Sequence, residues 1–460
     1  MPLRARIYLT SANRTDIVLV GDMPAFVATS SLQGRIRSAV LPFGLNVARS
    51  FVTNLFPRPV RAIDILLADV VRKIQLSPTN YDLAVSRYRT IAEWLERDGS
   101  PLKGRVTRLY PQGSMAMRAT ISSRLENDEF DIDIMAEMEA ALYRWGPRVI
   151  LDVLFDAING EPGSRYYGKV QRNTRCVTIA YDDMHLDVTP AVLMTGEART
   201  SRICHSKLEL PAAMDHYVTA NPWGFAKWFG TATSPVFRTE LLAKDAEAEP
   251  VPERPEWHER SLALMSLQLL KRWRNKRYDQ RHGRWPPSIL LAQLVCEQEE
   301  MFRGSGAVRT SLHGTLTAHA NAMFGLFEAH HAEGSLIQRT NPRCSEDVVT
   351  DRWPGSMTDQ DRFRQDLREL TVQLHRLDLE TRLDEKRAVL ADLFGERVTK
   401  LAFDDYQARL DEEARTSGLR YSPVTGAIRS GLAVAGIGGG VPAPRHTSFG
   451  GPRVARPWRS

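Results

Sequence analysis

Cysteine is scarce in this chain. Its 460 residues hold four, Cys176, Cys204, Cys296 and Cys344, and no two lie close together. That excludes a short-spaced zinc site and a CxxC redox pair. Four scattered cysteines in a chain this long read as small core residues of a reduced protein. Long apolar runs are missing too. None approaches the roughly 20 residues a membrane helix needs, so no membrane association is expected. The opening MPLRARIYLTSANRTDIVLV has two arginines near its start, but Asp16 and Asp22 break its apolar part. No signal peptide is expected, and the cytoplasm is the expected location. No repeat of roughly 20–50 residues recurs, which excludes a solenoid or a propeller.

Acids are absent from residues 415–460, which carry seven arginines. Residues 1–58 carry seven arginines and two aspartates. The whole chain is +6, so with ends of +5 and +7 the centre, 59–414, is −6 (47 basic and 53 acidic residues). A net acidic centre is a poor generic binder of long polyanions, whose non-specific affinity comes from phosphate neutralisation. No template nucleic acid is expected. With 43% hydrophobic and 25% charged residues, the chain is globular and long enough for two cores.

The pattern divides into four stretches. Residues 1–58 lack a long period and form an N-terminal extension. Residues 59–210 hold a mixed α/β unit. AIDILLADVVRKI reads as an amphipathic helix, and Ser77-Pro78 as the cap and first position of the next. There Tyr81, Val85, Tyr88, Ile91 and Leu95 define one buried face. RVTRLYPQGSM is a strand ending in a Gly-Ser turn, with MAMRATI as the helix opening beyond it. EFDIDIMAEM alternates as a half-buried strand does. RVILDVLFDAI is a helix, and RCVTIAYDD and MHLDVTPAVL are strands joined tightly. Residues 211–414 are mostly helical. In SLALMSLQLLKRWRNKRY an apolar start gives way to a basic end, as in a helix buried at one end and exposed at the other. Phe363, Leu367, Leu370, Leu374 and Leu377 make a helical stripe. Residues 415–460 have the Gly, Ser, Pro and Arg content of a flexible tail.

Phosphoryl and nucleotidyl transfer need a held triphosphate, in-line oxygens and neutralised charge more than covalent help. Two Mg²⁺ ions roughly 3.5–4 Å apart provide this, and they want converging hard oxygen ligands. Asp131-Ile132-Asp133 on a strand offers two carboxylates on one face, with Ile132 turned to the core. Asp187 in HLDVTP offers a third from a neighbouring strand, with Leu186 and Val188 inward. Alone, a DxD pair marks solvated acids more often than a metal site. Alone, Asp187 is an exposed strand residue, and Asp182 and Asp183 are turn residues. Gly113-Ser114 leading into a helix can present N–H groups, a hydroxyl and a helix N-terminus to phosphate. The set in its order is what is specific. A strand runs into Gly-Ser, DxD follows seventeen residues after Ser114 on another strand, and a third Asp lies on a later one.

With LSPTNYDLAVSRYRTIAEWL, YPQGSMAMRATI, DEFDIDIM, HLDVTPA, NPWGFAKWF, LLKRWRNKR with PPSILLAQL, and NPRCSED in this order, the chain resembles the CD-NTases over about residues 60–400. These are the cGAS/DncV-like nucleotidyltransferases of bacterial CBASS antiphage systems. The resemblance implies an α+β fold: a polymerase-beta-like nucleotidyltransferase lobe with a mixed sheet and a spine-like helix, plus a helical lobe like that of oligoadenylate synthetases (OAS-like). It implies template-independent joining of ribonucleoside triphosphates into a cyclic di- or trinucleotide messenger. It assigns Asp131, Asp133 and Asp187 to two Mg²⁺ ions (Mn²⁺ as a substitute) and Gly113 and Ser114 to phosphate. Lys271 and Ser288 would reach the donor triphosphate. The other reading of Lys271 is one more solvated charge beside Arg272, Arg274, Lys276 and Arg277. CBASS accessory or conjugation proteins are the implied partners. The chain departs from many relatives in Met117-Arg118-Ala119-Thr120 after the turn, and in PRVARPWRS after Gly451. Two rivals stay open: a nucleotidyltransferase acting on RNA or protein, and a non-catalytic nucleotide-binding protein.

Overall fold

The computed structural model describes residues 61–122, 130–195, 199–233, 261–305 and 309–416, together with three short later strands. The extension 1–58 and most of the expected tail lie outside the described residues. Helix α1 (Ala62–Ile74) stands where its periodicity puts it. Ile63, Leu66, Leu67, Val70, Val71 and Ile74 recur every three or four residues, and all are buried. Helix α2 (Pro78–Leu95) opens at the expected cap, where Ser77 Oγ accepts the Asn80 N–H at 3.0 Å. Such a cap contributes about 1 kcal/mol. Tyr88, Ile91 and Leu95 are buried with Ala84, while Tyr81 and Val85 are half-buried at the rim.

The sheet has seven strands: β1 (Val106–Pro111), β2 (Phe130–Met138), β3 (Val170–Arg172), β4 (Val177–Ala180), β5 (Met184–Thr195), β6 (Thr200–His205) and β7 (His216–Ala220). Their order is β1-β2-β5-β4-β3, with β6 on the far half of β5 and β7 beyond it. Only β2 and β5 run parallel, which makes the sheet mixed, as expected. Helices α2 and α4 (Gly146–Asn159) cover one face. Ile132, Ile134, Leu186 and Val188 point into the core beneath them, each contributing about 1.5–3 kcal/mol.

A second core is helical. It joins α5 (Pro222–Thr233), α6 (Leu262–Tyr278), α7 (Ser288–Gly304), α8 (Leu312–Ala332), α9 (Met357–Leu379), α10 (Leu383–Phe394) and α11 (Glu396–Thr416). All five residues of the predicted stripe in α9 are buried in it. Helix α1 packs here as well, against α11, α6 and α8, although it precedes the sheet in sequence. A hairpin of β8 (Thr340–Asn341) and β9 (Cys344–Val348) lies against β7.

Two local expectations fail. The helix after the Gly-Ser turn, α3, is one turn long (Gly113–Ala116) and does not continue through MAMRATI. Arg118 takes a left-handed φ of +57°, and the Ala119 N–H returns to Ser114 O at 2.8 Å, so the chain turns away. Likewise, the basic end of α6 is not exposed. Every residue from Ala263 to Asn275 is buried. The cations survive because each finds a partner: Arg272 Nε donates to Phe394 O at 3.0 Å, and Arg274 Nη1 donates to Pro286 O at 2.8 Å. Cys204 and Cys296 are core residues, but Cys176 and Cys344 are only half-buried; all four are free thiols. Inside the stretch expected to be a tail, β10 (Leu419–Tyr421), β11 (Ile428–Ser430) and β12 (Val441–Pro442) form a small antiparallel sheet.

One segment belongs to both cores. Met115 is buried in the sheet core, whereas Met117, Ala119 and Ile121 are buried in the helical one. The chain crosses between them right after the Gly-Ser turn.

Candidate active site

The parallel pairing of β2 and β5 sets the site. Its register puts Asp133 beside Asp187 and Asp131 beside His185. Side chains alternate, so all four lie on the face opposite Ile132 and Leu186. His185 Nδ1 is 3.5 Å from Asp131 Oδ1. On the other flank, β4 pairs Thr178 with Asp187. The Thr178 hydroxyl donates to Asp187 Oδ1 and itself accepts from Asn173 Nδ2 at 2.7 Å. The predicted triad is therefore gathered on one sheet face.

The Gly-Ser turn closes over it. Gln112 N–H donates to Asp133 O at 2.8 Å, which anchors the turn to β2. Gly113 then takes φ +56°, and a Cβ there would stand 2.7 Å from Asp133 Oδ2. Only glycine combines that backbone with that approach. Ser114 follows, its Oγ 3.4 Å from Thr120 Oγ1.

From α6, buried Lys271 reaches the same place, its Nζ donating to Ala119 O at 2.8 Å. This removes the solvated-charge reading of Lys271. Ser288 is half-buried at the first position of α7, and its neighbour Ile289 lines a cavity shared with Gly113. That cavity is about 230 Å³. Phe225, Ile203 and Val218 give it apolar walls, and Arg175, Asp347 and Asp351 add charge.

Electrostatics mark the spot. Burial, then Asp187 and Asp131, push Asp133 up to about 7. Burial is also the first cause that raises Asp187, with Asp131 adding to it and Thr178 opposing. Burial and Arg274 push Lys271 down to about 7, against the pull of Asp133 and Asp131. Carboxylates held together with too little positive charge favour a cation or a proton. The donor set is hard oxygen, which suits Mg²⁺ or Mn²⁺. In this conformation the three acids share a face without closing into a three-ligand cluster; among the described residues no such cluster exists. The donor chemistry fits the ions.

Sequence reasoning passed over Thr178, His185, Arg175 and the cavity residue Asp347. The first two needed strand register, and the others come from distant segments.

Comparison with known proteins identifies the family. A family model for the "Second Messenger Oligonucleotide or Dinucleotide Synthetase domain" matches residues 64–232. The cyclic dinucleotide synthase CdnG of Bradyrhizobium diazoefficiens is 32% identical over 407 residues, covering 84% of this chain and 94% of that protein. The chain is a CD-NTase. The structure of the Bradyrhizobium CD-NTase CdnG in complex with GTP superposes with a TM-score of 0.63, covering 75% of this chain and 99% of the other. A c-di-GMP synthase of Roseivirga ehrenbergii is 23% identical over 371 residues, or 80% of this chain and 92% of that one. CD-NTases have the polymerase-beta-like nucleotidyltransferase fold, and the mixed sheet with its helical partner is this chain's version of it. No helix among the described residues is long and apolar enough to cross a membrane.

Proposed function

We propose that this CD-NTase joins two ribonucleoside triphosphates without a template and closes them into a cyclic dinucleotide, a messenger for antiphage signalling. The observation that carries this reading is the pairing of Asp133 with Asp187 beneath Gly113, with Asp131 on the same face. A protein that only sensed nucleotides would not need acids gathered where a triphosphate must lie. Two relatives are named as dinucleotide synthases, one for c-di-GMP, and a structural relative holds GTP. These support a ring of two that includes guanine.

Asp131 and Asp133 would hold one Mg²⁺, and all three aspartates the second. Those ions supply charge neutralisation at the phosphates and a lowered pKa at the attacking ribose hydroxyl. The Gly113–Ser114 turn offers backbone N–H groups and the Ser114 hydroxyl to the donor phosphates. Lys271, tethered to Ala119 O, brings a cation to the same phosphates. Ser288, at the start of α7, would add a hydroxyl from the other core. Asp187, paired with Asp133 across the strands, is the carboxylate placed to take the proton that the hydroxyl loses. The new bond joins the acceptor oxygen to the donor α-phosphorus, and pyrophosphate leaves. The linear product turns over and the same step closes the ring.

The test is incubation with all four labelled triphosphates and Mg²⁺, followed by phosphatase and separation. A phosphatase-resistant dinucleotide that is lost in Asp131→Ala or Asp187→Ala, with the fold intact, supports the proposal. Wild-type turnover in either variant refutes the site. Label on RNA or protein instead would move the chain to the first rival class.

A further inference from the structure

Beside the carboxylates, a group of charges with no task so far runs from the cavity wall at Arg175 out to the exposed Arg284 and Arg352. Arg175 lines it together with Gly113. The Arg175 Nε donates to His205 Nδ1 at 3.0 Å, and an Nη donates to Asp351 Oδ2 at 2.7 Å. His205 can accept because burial and Arg175 hold it neutral, its pKa down at about 4. Arg352 follows Asp351, and Arg284 Nη1 donates to the Arg352 backbone O at 3.1 Å. The Arg352 guanidinium has no hydrogen-bond partner among the described residues. Burial and then Arg175 make its charge harder to keep, Asp351 opposes them, and Arg284 adds to the repulsion. Lys207 adds a further positive charge near His205.

Two acids face this group. Asp351 is engaged by Arg175. Asp347 is occupied elsewhere, with its Oδ2 accepting Asn341 Nδ2 at 2.8 Å and the Asn221 N–H at 3.0 Å. Cations therefore outnumber the acids available to them. The group adjoins the triad through Cys176, which lies within electrostatic reach of both Asp187 and Arg352. Like charges crowded at a cleft are costly unless a polyanion sits there. Guanidinium forks match phosphate oxygens.

Joining two triphosphates poses the matching problem. The donor's phosphates lie at the turn and the triad. The acceptor brings its own 5′-triphosphate, which stays intact in the first step, close to three carboxylates that share one sheet face. We propose that Arg175, Arg284 and Arg352 hold the 5′-triphosphate of the acceptor nucleotide while its ribose hydroxyl attacks the donor. This rests on the joining reaction proposed above.

The experiment isolates the first step. The donor is α-labelled 2′,3′-dideoxy-GTP, which cannot accept. The acceptor is either guanosine or GTP with a methylene between its α- and β-phosphorus atoms, which cannot donate. In the wild type, kcat/KM should favour the triphosphate acceptor over guanosine. In Arg352→Gln that preference should fall by at least about tenfold, the loss of one charge-assisted phosphate contact. Arg284→Gln should fall the same way, and Arg352→Lys should recover part of the loss. A preference unchanged in both glutamine variants overturns the assignment while leaving the joining reaction standing. No labelled dinucleotide from the wild type overturns the reaction and the assignment together.

Discussion

Replacing Gly113 with alanine puts the construction of the site under direct load. Two costs are built into that position. The first is the backbone: φ of +56° costs an L-residue about 1–2 kcal/mol. The second is the contact. The new Cβ would stand 2.7 Å from Asp133 Oδ2, closer than such atoms approach, so one of them must move. The movable partner is the end of the Asp133 side chain, and moving it costs the fold little. It costs the chemistry much more, because Asp133 is a proposed metal ligand and a misplacement of about 1 Å can cost roughly 100-fold in rate. Gly99 is the control. It has φ +80° and nothing within 4 Å of an added Cβ. Gly99→Ala should lose about the same 1–2 kcal/mol of stability and keep full turnover. Gly113→Ala should show a similar shift in denaturant midpoint and lose about 100-fold in kcat. The assay is cyclic dinucleotide formation at saturating Mg²⁺, paired with urea unfolding. If Gly113→Ala loses no more activity than Gly99→Ala, the close approach of turn and carboxylate has no catalytic meaning and the reasoning fails.

Thr178→Val removes the hydroxyl that orients Asp187, so the Mg²⁺ concentration at half-maximal turnover should rise about 10–100-fold, with Thr178→Ser restoring it; an unchanged Mg²⁺ titration would count against a positioning role. In chelator, Asp133 keeps a proton in the folded protein up to about 7, against 3.8 for the free side chain. The folded state thus binds more protons than the unfolded one in that window, and wild-type stability should fall as pH rises through it. Asp133→Asn should show a smaller fall, the remainder coming from Asp187, whose own proton affinity burial raises, and urea melts across the window would show the difference. Arg409→Ala takes one of two arginine partners from the fully buried Asp69 and should cost about 1–3 kcal/mol in unfolding without altering kcat.

The carboxylates were legible because strand alternation is local. Ile132, Leu186 and Val188 had to face a core, which turned Asp131, Asp133 and Asp187 to the other side. The Ser77 cap and the α9 stripe were legible for the same reason. What stayed hidden depends on partners distant in sequence. The exposed end expected for α6 came from counting charges; Arg272 and Arg274 are buried because carbonyls of Phe394 and Pro286 meet them. The short α3 depends on Arg118 adopting a backbone that only surrounding packing imposes. Helix α1 looks like any amphipathic helix, and its sequence does not say which core it joins. Arg175, Arg284 and Arg352 come from three separate stretches, so no motif could have announced them.

The segment from Gly113 to Ile121 has a mechanical consequence. Its first residues are seated in one core and its last in the other, and Lys271 grips its middle at Ala119. A change in the separation of the two cores would act on these few residues, as it would on the crossings near residues 75–77 and 221. The turn proposed to hold phosphate is therefore a coupling as well as a cradle. Substrate that tightens the turn pulls on the helical core, and anything that pulls on the helical core from outside will be felt at the turn.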